Sequence, residues 1–97
     1  MIATRLLVAG LIICTSSAFA APAEPPAGAS ACSGCHPASA DRRTSVPALA
    51  GRNAADTVAA MQAFRSGQRA ATVMDCIAKG FSDAEVEAIA AWYADQR

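Results

Sequence analysis

Cys32-Ser33-Gly34-Cys35-His36 is the stretch on which the reading of this chain turns. A C-x-x-C-H run reads as a covalent c-type haem attachment site. One helical turn sets both sulfurs along one porphyrin edge, each thiol adding to a vinyl group. The adjacent histidine then comes in beneath the iron as the proximal ligand. The pentad is short enough to arise by chance, so its weight depends on what surrounds it.

On its N-terminal side, residues 1–20 have the pattern of an export signal. Arg5 is followed by an apolar run from Leu6 to Ile13 and by the small-residue pattern Ala18-Phe19-Ala20. The run is far shorter than the about 20 apolar residues a bilayer span needs. A lipoprotein signal acylated at Cys14 is the rival reading, and Ile13 argues against it because that position calls for a small residue. A processed chain starting at Ala21 is expected in the periplasm of a bacterium. Residues 21–30, with three prolines and a glycine among small residues, read as a flexible lead-in. Residues 31–97 form the domain.

A domain of this size is marginal with a plain apolar core and calls for a staple such as a metal, a cofactor or disulfides. Without Arg5, the eight basic residues fall one below the eight acidic ones, which excludes a nucleic-acid binder by bulk charge. Of the four cysteines, Cys14 leaves with the signal and the haem takes Cys32 and Cys35. Cys76 is then odd in an oxidising compartment, which suggests either an intermolecular disulfide or a free thiol.

C-terminal to the pentad, Pro37 ends the short helix that Ser30 is expected to cap. In Pro47-Ala48-Leu49-Ala50-Gly51 a rigid proline, one large apolar side chain and a glycine fit a loop pressed against something flat. The Pro47 carbonyl is expected to accept the ring N–H of His36, fixing its tautomer and raising its basicity. Asn53 caps a predicted helix from Ala54 to about Ser66, closed by Gly67, with Val58, Met61 and Phe64 as its apolar stripe. Met61, in mid-stripe, is assigned to the core. A short turn around Val73, Met74 and Ile77 follows, and Met74 is placed to ligate the iron on the face opposite His36. Ser82 and Glu85 make a capping box for the last helix, with Phe81 set to staple onto Val86. Its inner face is Val86, Ile89, Ala90 and Tyr93.

Taken together, CSGCH, Pro47 to Gly51, Ala71 to Met74, Ile77 to Asp83 and Ala90 to Tyr93 resemble a class I c-type cytochrome. The likeness is nearest to the small monohaem subunit of flavocytochrome c sulfide dehydrogenase and to cytochrome c4-type domains. The resemblance implies an all-α, class I cytochrome c fold wrapped around one covalent haem c. Cys32 and Cys35 would carry the thioethers, and His36 and Met74 would be the axial iron ligands. Pro47, Leu49, Arg52 and Ile77 would contact the haem group, with Arg52 and Arg69 within reach of a propionate. Two departures stand out: the segment before the pentad is short for the usual N-terminal helix, and Cys76 is a thiol where relatives commonly have none.

A His/Met iron has no open coordination site, so the expected function is outer-sphere electron transfer, not turnover of a substrate. The partners would be redox proteins: a sulfur-compound dehydrogenase as donor, another cytochrome or an oxidase as acceptor. Arg42, Arg43, Arg52, Arg69 and Lys79 would ring the docking edge. The alternative is a haem enzyme or ligand sensor with a labile distal site. For Cys76, an intermolecular disulfide giving a homodimer stands beside an inert thiol. A third reading, iron ligation or sulfur chemistry by Cys76, is opposed by Met74.

Overall fold

The computed structural model describes residues 17–18, 20–39 and 44–96. Most of the expected export signal lies outside these residues, as do Arg42 and Arg43. The described residues form four helices and no strand: α1 (Ala29–Cys32), α2 (Ala54–Ser66), α3 (Met74–Ala78) and α4 (Asp83–Asp95). Among them, no helix is long and apolar enough to cross a membrane. The described residues make a small all-α domain.

The two long helices begin and end where local chemistry directs. The Asn53 side chain accepts the Asp56 N–H at 3.2 Å, satisfying one of the donors left over at the start of α2. Gly67, at φ 79°, ends the helix in the left-handed region that favours glycine. At α4 the capping box is complete: the Glu85 N–H donates to Ser82 Oγ at 3.2 Å, and the Ser82 N–H donates to Glu85 Oε2 at 2.7 Å. Val86, Ile89, Ala90 and Tyr93 are its buried residues, while Asp83, Glu87 and Asp95 are exposed.

α1 starts differently. Ser30, the expected cap, is its second residue, and the position before the helix belongs to Gly28 at φ 87°. A Cβ there would lie 2.6 Å from Phe81 Cε1. The ring of Phe81, packed with Ala29, Ile89 and Tyr93, occupies that space. The start of α1 is therefore set by a contact distant in sequence, not by a polar cap. Phe81 belongs to this cluster.

α2 packs against both α3 and α4. Arg65 of α2 fastens the junction between the other two: its guanidinium donates to the carbonyls of Ala78 at 3.4 Å and Phe81 at 2.9 Å, and pairs with Asp83. Carbonyls at a helix C-terminus lack intrahelical donors, and Arg65 supplies one to α3. The lead-in is tied to α4 as well. Tyr93 Oη donates to the Ala29 carbonyl at 2.7 Å, and Trp92 Nε1 donates to the Ala23 carbonyl at 3.2 Å. The two rings meet edge to face, 4.9 Å apart.

Among the described residues, the buried apolar ones are Ala29, Ala78, Val86, Ile89, Ala90 and Tyr93. That is a thin core for four helices, because the inner faces of α2 and α4 open onto a cavity.

Candidate functional site

The pentad continues α1 by one further turn. The His36 N–H donates to the Cys32 carbonyl at 2.9 Å, and the Cys35 N–H donates to the same oxygen at 3.2 Å. This winding brings Cys32, Cys35 and His36 to one wall of a cavity of about 480 Å³. Its other walls come from three stretches. α2 presents Thr57, Ala60, Met61 and Phe64, the loop before it presents Pro47, Leu49 and Arg52, and the α3 region presents Val73, Met74 and Ile77. Val86, Ile89 and Tyr93 of α4 close it. The volume lies within the ~300–1,000 Å³ of small-molecule and cofactor sites, and the lining is mostly apolar with few polar groups, as such sites are.

The orientation of His36 is settled by its partner. Nδ1 lies 2.6 Å from the Pro47 carbonyl oxygen. A carbonyl only accepts, so Nδ1 carries the proton and Nε2 keeps its lone pair free for a metal. The Cys32 sulfur is 3.8 Å from the Gly28 carbonyl. Burial pushes the Cys32 thiol up, a backbone hydrogen bond opposing it in part, so its neutral form is favoured. Met74 is the first residue of α3 and half-buried. Arg52 is half-buried and Arg69 exposed; both line the cavity, and the guanidinium of Arg69 lies 4.8 Å from the Phe64 ring centre. Val73 and Ile77 line the same cavity and are the exposed large apolar side chains of the described residues.

All the residues singled out in the sequence as ligands or haem contacts, namely Cys32, Cys35, His36, Pro47, Leu49, Arg52, Met74 and Ile77, line this one cavity. Cys76 does not. It is an exposed free thiol, and Cys32 and Cys35 are free as well. The expected disulfide bond and the disulfide-linked homodimer through Cys76 are therefore corrected: the odd cysteine is a free thiol, exposed on α3.

Two further residues line the cavity, one expected in the core and one given no role in the sequence. Met61, assigned to a packed core, is half-buried on the cavity wall. Thr57, a polar residue outside the expected apolar stripe, joins it: Thr57, Ala60, Met61 and Phe64 follow the i, i+3, i+4, i+7 spacing of one helix face. Val58, counted in the expected stripe, lies outside the lining. Arg65 was missed altogether; nothing in its neighbours in sequence marks the carbonyls it serves.

No family model matches this chain, and no curated protein matches it.

Proposed function

We propose that the protein is a periplasmic monohaem c-type cytochrome of class I fold that carries electrons between redox proteins. The observation that carries this reading is the His36–Pro47 hydrogen bond, made at the wall of a cavity that Cys32, Cys35 and Met74 also line. A lone histidine on an apolar face is ordinarily a satisfied core residue. Here its proton is committed to a backbone oxygen, its other nitrogen is free, and two thiols and a thioether share its cavity. Among the described residues, no group of three or more His, Cys, Asp or Glu side chains is placed to hold a metal by itself. Iron held by His36 and Met74 would draw its other donors from a macrocycle, to which Cys32 and Cys35 offer attachment.

The residues fit that group in chemistry as well as in number. Cys32 and Cys35 would hold haem c through thioether bonds, and His36 Nε2 and the Met74 sulfur would ligate its iron. When bound, the group would supply one-electron chemistry, and ligation by the Met74 thioether would raise its potential. The rest is the work of the chain. Pro47 keeps the imidazole in one tautomer and makes Nε2 a stronger donor. Leu49, Phe64 and Ile89 give the cavity apolar walls, and Arg52 and Arg69 would offer charge to carboxylates at its rim. A sulfur-compound dehydrogenase as donor is the reading that the family likeness favours.

The test is expression of the full precursor in a host that matures c-type cytochromes. Pyridine haemochrome analysis of the purified protein should give one covalent haem per chain, recovered from the periplasmic fraction and lost in the C32A/C35A variant. The reduced protein should bind carbon monoxide slowly or not at all. Fast binding would move the reading to a haem enzyme or sensor, and absence of covalent haem would end it. Co-purification of a flavoprotein would identify the donor.

A further inference from the structure

The hydrogen bond that fixes His36 is itself held in place from the far end of the molecule. Pro47 lies in an exposed loop with no regular structure of its own. What anchors the loop is Gly51, whose N–H donates to the carbonyl of Tyr93 at 3.0 Å, in the last turn of α4. The same carbonyl accepts the Gln96 N–H at 3.1 Å. Tyr93 also grips the other side of the site. Its hydroxyl donates to the Ala29 carbonyl at the start of α1, and Cys32 packs against the cluster it forms with Ala29 and Ile89. Both partners of the His36–Pro47 bond are thus tied to one residue of α4, the histidine through α1 and the carbonyl through Gly51.

Gly51 can make this link because of its conformation. At φ 73° it lies where L side chains are strained. Space is not the obstacle, since a Cβ would meet nothing closer than the Gln96 carbonyl at 3.5 Å. Gly67 offers a matched comparison: it has φ 79°, nothing within 4 Å of its would-be Cβ, and no part in the Pro47 loop.

We infer that Gly51, docked on the Tyr93 carbonyl, is a positioning residue for the axial histidine, acting through Pro47 to hold the Nδ1–H tautomer of His36. The inference rests on the haem reading for its functional meaning, and its test reads the imidazole itself and not electron transfer. His36 is the chain's one histidine, so ring-nitrogen NMR of the full, exported protein in its reduced state reads a single imidazole. Gly51→Ala should raise solvent exchange of the Nδ1 proton by up to about tenfold, the worth of one weakened hydrogen bond. Gly51→Asn, which tolerates the left-handed region better, should restore the native value. Gly67→Ala, with the same backbone strain, should leave it unmoved.

If Gly51→Ala does not fold, the wild-type protein still decides. In sub-denaturing denaturant, the Gly51 amide and the His36 ring proton should lose protection together, as members of one opening unit. Equal effects of Gly51→Ala and Gly67→Ala, or ring exchange while the Gly51 amide stays protected, overturn the inference. A protein with no covalent haem that still shows the Gly51 effect overturns the functional reading and leaves this one standing.

Discussion

At the scale of single residues, Gly28 and Tyr93 bear the most. Gly28 combines a left-handed backbone with the Phe81 ring in the space of its missing Cβ. Gly28→Ala should therefore destabilise the domain by roughly 1–3 kcal/mol through strain and overpacking, read as a lowered melting temperature. Tyr93 is held neutral by burial first and by its proximity to Cys32 second, which raise its pKa above the ordinary tyrosine range. A pKa raised on folding contributes stability that is complete below the unfolded value and disappears as pH climbs through the folded one. Tyr93→Phe should thus be less stable than the native protein by about 1 kcal/mol at neutral pH, having lost the bond to Ala29. In melting curves taken across alkaline pH, the gap between the two should close. Cys76, exposed and free, should react fully with maleimide in the folded protein, and Cys76→Ser should shift stability by no more than about 0.5 kcal/mol. A band at twice the monomer mass on a non-reducing gel would contradict that account.

At the scale of elements, how far each helix was legible depends on how local its determinants are. α2 and α4 carry their own boundaries: Asn53, Gly67 and the Ser82–Glu85 box act within one turn, so a reader of sequence finds them. α1 could not be placed in this way, because Gly28 answers to Phe81 across the length of the chain. Arg65 is the same lesson at a junction. It joins α2 to the α3–α4 connection through two carbonyls and one carboxylate, and carbonyl acceptors leave no trace in side-chain identity. Arg65→Ala should cost about 1–2 kcal/mol, mostly from the carbonyls, since a half-exposed ion pair adds little. Arg65→Lys should recover only a part of it, because a single ammonium cannot serve three acceptors in the fork geometry of a guanidinium. Denaturant titration of the two variants measures both effects.

For the whole molecule, the cavity is the feature that neither helix patterns nor composition could outline. The pentad, the Pro47 loop and Met74 were each readable as chemistry, and the resemblance implied that they meet at one group; what the fold adds is the lining between them. Met61 differs from its expected place in the core for the same reason, since a helix face that lines a ligand site has the same period as one that lines a core. With so few buried side chains, much of the stabilising contact in the proposed cytochrome would come from the cofactor surface. The C32A/C35A variant is accordingly expected to melt without a sharp cooperative transition in calorimetry, while the haem-bearing protein melts with one.

Trp92 turns this coupling into light. It is the chain's one tryptophan, and its indole N–H is held by Ala23 of the lead-in. Its emission is therefore a reporter at a single address, sensitive to whether the segment before α1 is docked on α4. Detachment of that segment wets the indole and reddens its emission while α4 is still helical by circular dichroism. In the haem-loaded protein, energy transfer to the porphyrin would darken the same fluorophore until the chain expands. Colour and brightness would then time two separate events, the peeling of the lead-in and the opening of the domain.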